Sequence, residues 1–181
     1  DIATKAGYQA IITPADCASG TDRVSAALQL LDKDYKYVVN LQGDLPVVEP
    51  ECIVKALAVL KEKDTDIGTV ASIVKDDWER TDPGSVKAII AENGRGIYFT
   101  RTPNSPYGEG DLYHHIGVYA YKADSLKKFV DFPPSSLEKR EKLEQLRALE
   151  NGMSISVGIV KSFPMEINTQ EDLEKVRAAT K

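Results

Sequence analysis

Gln42-Gly43-Asp44 closes an apolar, β-branched run, Tyr37-Val-Val-Asn-Leu41, and is followed by Pro46. In an open α/β sheet the carboxyl ends of the strands face the ligand crevice. A glycine there lets a base or phosphate approach the backbone, and a carboxylate after it can hold a metal-bound nucleotide. The same Gly-Asp pair is also ordinary chemistry for a turn that ends a strand. A second chemical face lies in the run Tyr113–Tyr121. Successive side chains of a strand point to opposite faces, so His115, Gly117 and Tyr119 share one side and His114, Ile116, Val118 and Ala120 the other. On the first side Gly117 leaves a gap between an imidazole and a phenol where a ligand could meet the backbone; the bland alternative is a solvated strand face. The second side reads as core, with His114 in a structural role.

The elements that would position these residues alternate. Gln9–Thr13 reads as a short strand, and Ser19-Gly-Thr-Asp22 has capping-box spacing with Asp in place of Glu. Val24, Ala27, Leu28 and Leu31 then recur at helical spacing. Tyr37–Gln42 is the next strand, and the helix after Pro50 places Ile53, Val54, Leu57 and Leu60 on one face. Ile67–Val74 is again a strand, and this βαβ rhythm predicts parallel pairing. From Val86 the texture changes: two short apolar runs, Val86–Ala91 and Ile97–Thr100, flank Glu92-Asn-Gly-Arg-Gly96, a hairpin signal. A Pro, Gly and Ser-rich loop over Thr102–Gly110 leads into Tyr113–Tyr121. Ser125–Val130, a charged helix over Ser136–Glu150 stopped by Gly152, a strand Ile155–Val160 and an amphipathic helix Gln170–Ala179 complete the chain.

A chain of 181 residues that is 42% hydrophobic can bury one substantial core. Its net charge of −5, with Lys and Arg scattered among acids, excludes the basic surface that nucleic-acid binding needs. Cys17 and Cys52 form no paired framework, which suits a reducing compartment. No apolar run approaches the ~20 residues needed to cross a bilayer. The expectation is a soluble, cytoplasmic, single-domain protein without nucleic-acid or membrane partners.

Several segments together resemble the 3-deoxy-manno-octulosonate cytidylyltransferase (CMP-Kdo synthetase) family: Ser19-Gly-Thr-Asp-Arg23, Val39-Asn-Leu-Gln-Gly-Asp44, Ile97-Tyr-Phe-Thr-Arg101, His115-Ile-Gly-Val-Tyr119, Pro133-Pro-Ser-Ser-Leu-Glu138, Leu143-Glu-Gln-Leu-Arg147 and Thr169-Gln-Glu-Asp-Leu173. Their order and spacing, over nearly the whole chain, carry the likeness. It implies a Rossmann-like nucleotide-diphospho-sugar transferase fold of class α/β, a mainly parallel sheet with an antiparallel extension, and a homodimer. It also implies a reaction: CMP passes from CTP to the acidic sugar Kdo with release of pyrophosphate, for lipopolysaccharide synthesis, with Mg²⁺ as cofactor. By the same resemblance Asp44 is catalytic and binds metal with Asn168. Arg101, at a loop mouth after a strand, is placed to meet an anionic substrate as a catalytic group or else to form a surface ion pair. Ser19, Gly20, Thr21, Arg23, Gln42 and Gly43 line the nucleotide, while His115, Tyr119, Glu144 and Gln145 contact the sugar.

The family pattern also opens with a strand and a phosphate loop of the form Ala-Arg-x-x-Ser-x-Arg-Leu-Pro-x-Lys, absent from these residues, so the expectation is a domain incomplete at its N-terminus and inactive alone. Pro14 and Cys17 stand where the pattern has Arg and His, and Asn168 stands where it has a second metal carboxylate. An uncharged amide should bind Mg²⁺ more weakly than a carboxylate. Two alternatives stay open: a non-catalytic nucleotide- or sugar-binding relative, and a cytidylyltransferase for another acid sugar such as amino-Kdo or sialic acid.

Overall fold

A computed structural model describes residues 2–31, 33–102, 110–161, 163–167 and 169–179. In chain order the elements are α1 (Ile2–Lys5), α2 (Gly20–Gln29), β1 (Tyr37–Leu41), α3 (Pro50–Glu62), β2 (Ile67–Ile73), α4 (Asp77–Thr81), β3 (Lys87–Ile90), β4 (Gly96–Thr100), β5 (Tyr113–Lys122), α5 (Ala123–Asp131), α6 (Ser136–Glu141), α7 (Gln145–Glu150), β6 (Ile155–Val160) and α8 (Gln170–Ala179).

One six-stranded sheet runs β4-β3-β5-β2-β6, with β1 also paired to β5. β5 therefore has β2 along one edge, while β1 takes the C-terminal half of its other edge and β3 the N-terminal half. The expectation of a mainly parallel sheet holds for strand direction but not for pairing. β1, β2, β3 and β6 share a direction, yet only β2–β6 is a parallel ladder, because β5 runs antiparallel between the others. β4 runs in the same sense as β5, both being antiparallel to β3. The expected hairpin is present as β3–β4.

Each face of the sheet carries its own core. On one side α3 packs Cys52, Ala56 and Leu60 against Val70, Ile116, Val118 and Ala120. On the other, Leu126 and Phe129 of α5 and Leu146 and Ala148 of α7 meet Ile67, Tyr119, Tyr121 and Ile155. Gly68 sets the α3 contact: a Cβ there would lie 2.2 Å from the Ala56 carbonyl oxygen and 2.9 Å from Leu60 Cβ, so only glycine permits this approach.

Three local expectations are corrected. Gln9–Thr13 is not a strand; its short apolar stretch meets no described ladder, and β-structure is made by pairing rather than by propensity. The buried stripe of α3 is Cys52, Ala56, Val59 and Leu60, with Val54 66% exposed on the solvent side. The charged segment Ser136–Glu150 is two helices, since Lys142 adopts the left-handed conformation (φ 56°) and turns Leu143 inward between them. Gly152, at φ 74°, does follow the end of α7.

Candidate active site

Two adjoining cavities open at the C-terminal end of β1 and share the side chains of Gln42 and Asp44. One, of about 410 Å³, is lined by Gly20, Arg23, Asn40, Gly43 and neighbouring apolar groups. The other, of about 280 Å³, is lined by Arg101, His115, Gly117, Tyr119, Lys142, Glu144, Gln145 and Glu166. In the first, no heavy atom lies within 4 Å of where a Cβ would stand on Gly20 or Gly43, so these two glycines leave the backbone approachable. Ser19 caps α2, accepting from the Asp22 amide at 3.2 Å and donating to its carboxylate at 2.6 Å. Arg23 is tethered to Thr13 Oγ1 and the Pro14 carbonyl. Asp44 sits in the turn after β1, its carbonyl accepting from the Ile167 amide at 2.9 Å, which ties the segment bearing Glu166 to the seam between the cavities.

The second cavity is built on β5. His115, Gly117 and Tyr119 all face it. The register slip against β2, from Thr69↔Tyr119 to Val70↔Ile116, advances β5 by three residues for one on β2, an odd step on each strand that preserves the alternation. The gap expected over Gly117 is occupied by Gln42: a Cβ on Gly117 would meet the Gln42 amide at 3.5–3.6 Å. His115 is buried, with Phe99 edge-on at 5.0 Å and Thr69 Oγ1 at 2.9 Å from its Nε2. Thr69 donates its one proton to the Val118 carbonyl at 2.8 Å. Its oxygen must therefore accept from His115 Nε2–H, an assignment that leaves Nδ1 as an acceptor. Burial, reinforced by neighbouring His114, pushes the His115 pKa down to about 3, so the ring is neutral.

Tyr119 donates to Gln145 Oε1 at 3.3 Å, and burial, then the charges of Glu144 and other nearby groups, holds its phenol well above the ordinary value. Gln145 Nε2 and Glu144 Oε2 are buried without a partner among the described residues. Such groups are costly to leave unmet and call for a ligand or water. Arg101 donates to the carbonyls of Glu141 and Pro83 and makes no ion pair among the described residues. Lys142 adds a second cation through its left-handed backbone.

Asp44 and Gln42 thus bridge the cavities; Gly20, Arg23 and Gly43 line one, while Arg101, His115, Tyr119, Glu144 and Gln145 line the other. Ser19 and Thr21 line neither, and Asn168 lies outside the described residues. Lys142 and Glu166 were not singled out in the sequence. Nothing local in the sequence marks either Lys142 or Glu166. His114, on the opposite parity, is buried beside Glu79 at 3.1 Å and stacks on Phe163 at 3.6 Å, at the wall of a separate cavity of about 530 Å³. Burial lowers its pKa, with Glu79 opposing.

A mixed α/β sheet thus holds a glycine-floored cavity and a polar cavity side by side at one strand end, an arrangement suited to bringing two substrates together. Residues 1–155 match the Cytidylyltransferase family, and the chain belongs to that family. It is 50% identical over 184 residues to the 3-deoxy-manno-octulosonate cytidylyltransferase of Azorhizobium caulinodans, covering 98% of this chain and 73% of that protein. It is also 50% identical over 177 residues to the enzyme of that name from Bartonella tribocorum, covering 94% of this chain and 72% of that one. Among solved structures, a CMP:2-keto-3-deoxy-manno-octonic acid synthetase complexed with CTP superposes with a TM-score of 0.89 at 29% identity, over 98% of this chain and 74% of that one. A putative glucose-1-phosphate thymidylyltransferase from Bacillus anthracis, at TM-score 0.60 and 14% identity over 97% of this chain and 67% of that one, shares the fold. No helix among the described residues is long and apolar enough to cross a membrane.

Proposed function

We propose that this chain carries the site of a CTP-dependent transferase that moves CMP onto the acidic sugar Kdo and releases pyrophosphate. The observation that carries the reading is the pair of cavities meeting at Gln42 and Asp44. CTP takes the glycine-floored side. Kdo takes the polar side, where a sugar with many hydroxyls and one carboxylate finds complementary groups. Neutral His115 accepts from a hydroxyl at Nδ1, Gln145 Nε2 donates, Glu144 Oε2 accepts, and the Arg101 guanidinium, which lines the same cavity, meets the carboxylate.

The α-phosphate and the anomeric hydroxyl then come together at the seam. The sugar oxygen forms its bond to the α-phosphorus as the bond to the β-phosphate oxygen breaks, and the hydroxyl proton is lost to solvent or a nearby acceptor. No covalent enzyme intermediate is needed, and the protein's part is orientation and charge placement. Mg²⁺ fits Asp44 in the mode that uses one or two carboxylates plus water and phosphate oxygens. Among the described residues no group of three or more His, Cys, Asp or Glu forms an all-protein cage. When bound, the ion would neutralise phosphate charge. Asn168 stands in the sequence where the family resemblance has a second carboxylate.

The test is pyrophosphate release by the intact polypeptide containing these residues, with CTP, Mg²⁺ and Kdo each omitted in turn and sialic acid or a neutral hexose substituted. Release only with all three, and preferentially with Kdo, supports the reading. Equal rates with a neutral sugar, or no release with Kdo, would overturn it.

A further inference from the structure

Thr21 is fully buried in the first turn of α2, and its side chain lines neither cavity. Its hydroxyl instead donates to Glu144 Oε1 at 2.5 Å, receives the Asn40 side-chain amide at 3.1 Å, and lies 3.4 Å from the Tyr121 hydroxyl. A hydroxyl has one proton and two acceptor positions. Once the proton goes to Glu144, the other two partners must be donors, and the Asn40 amide and the Tyr121 phenol are both able to be. Thr21 is thereby saturated. The far oxygen of Glu144, Oε2, is buried without a partner among the described residues, in a residue that lines the polar cavity. Asn40 is buried too and lines the glycine-floored cavity. A second tie joins the same elements, since Arg147 of α7 lies 3.7 Å from Asp22 of α2 while gripping Glu138 through two hydrogen bonds at 2.5 and 2.9 Å.

We propose that Thr21 is a positioning residue for Glu144: the buried chain Asn40–Thr21–Glu144 pins one carboxylate oxygen so that the other is presented to the sugar, and it joins the nucleotide cavity wall to the sugar cavity. Thr21 acts through Glu144 and touches neither substrate with its side chain. The proposal rests on the reading of the polar cavity as the sugar site. A charge-assisted hydrogen bond is strong enough for its loss to show as a change of about tenfold or more.

The experiment compares Thr21→Val, which keeps the shape without the hydroxyl, with Thr21→Ser, which keeps the hydroxyl, in the intact polypeptide. The expected result is a KM for Kdo raised about tenfold or more in Thr21→Val, a KM for CTP changed by less than about twofold, and near wild-type behaviour in Thr21→Ser. In a Glu144→Ala background Thr21→Val should add little, because both changes break the same contact. A larger effect on CTP than on Kdo, full additivity with Glu144→Ala, or a Thr21→Ser as impaired as Thr21→Val at matched melting temperature would each overturn the proposal. A crystal structure of Thr21→Val gives a readout independent of turnover: the Glu144 carboxylate should leave its place, and an unmoved carboxylate contradicts the positioning role even if Kdo is not the substrate. If the wild type never uses Kdo yet the carboxylate moves, the functional reading falls and the positioning role stands.

Discussion

Acidification should destabilise this protein through His115 in a way that can be calculated. The ring is buried between Phe99 and Tyr119 and bound through Nε2 to Thr69, and its pKa is pushed from an ordinary 6.5 down to about 3. Because the folded value lies below the unfolded one, the unfolded chain takes up the proton first as the pH falls. The folded state therefore loses stability from about pH 6.5 down to about pH 3. Each unit of separation corresponds to about 1.36 kcal/mol, so between about pH 8 and about pH 5 this one group accounts for about 2 kcal/mol. The assay is urea denaturation of wild type and His115→Gln across that range, where the wild-type curve should fall about 2 kcal/mol further. His114, also depressed by burial, is present in both proteins, so the difference reports chiefly on His115. NMR titration of the wild-type imidazole supplies the same answer should the variant fold poorly, with His115 remaining unprotonated at about pH 5. Parallel stability curves together with an imidazole that titrates near 6.5 would refute the buried, neutral assignment.

Replacing Gly68 by Ala forces a methyl to 2.2 Å from the Ala56 carbonyl oxygen; an overpacking loss of about 1–3 kcal/mol or more is expected in chemical denaturation. Arg147→Met leaves the mostly buried Glu138 carboxylate with only the Ser135 amide and no countercharge at hydrogen-bond distance, and should destabilise by about 3 kcal/mol, read as a lowered melting temperature. His115→Ala and Tyr119→Phe should raise the KM for Kdo more than that for CTP, because both side chains line the polar cavity alone. Steady-state kinetics with each substrate varied in turn checks this.

The polar face of β5 was legible because strand alternation is a local rule, and the register slip against β2 happens to preserve it. The glycine and carboxylate after β1 were legible for a similar reason, since a chain leaving a strand end needs a turn, and this turn lines the cavities. What local pattern could not convey was partnership. The insertion of an antiparallel β5 between β1 and β2 depends on long-range pairing, and the loss of Gln9–Thr13 as a strand does too. The break at Lys142 is invisible in a run of good helix formers, and it decides where Glu144 and Gln145 point. Thr21 shows the same limit: its segment signals a helix start next to a ligand loop, but only the folded structure turns its hydroxyl toward Glu144, 123 residues away.

The proposed reaction is a bond-forming event between two substrates held in adjoining cavities. It is tested most directly by giving the intact polypeptide CTP, Mg²⁺ and Kdo bearing heavy oxygen in its anomeric hydroxyl, then weighing the products by mass spectrometry. Attack by that hydroxyl on the α-phosphorus predicts a CMP-sugar adduct that keeps the heavy atom and pyrophosphate that lacks it. CMP and pyrophosphate without a sugar adduct, or an adduct from which the label has been lost, would contradict the account.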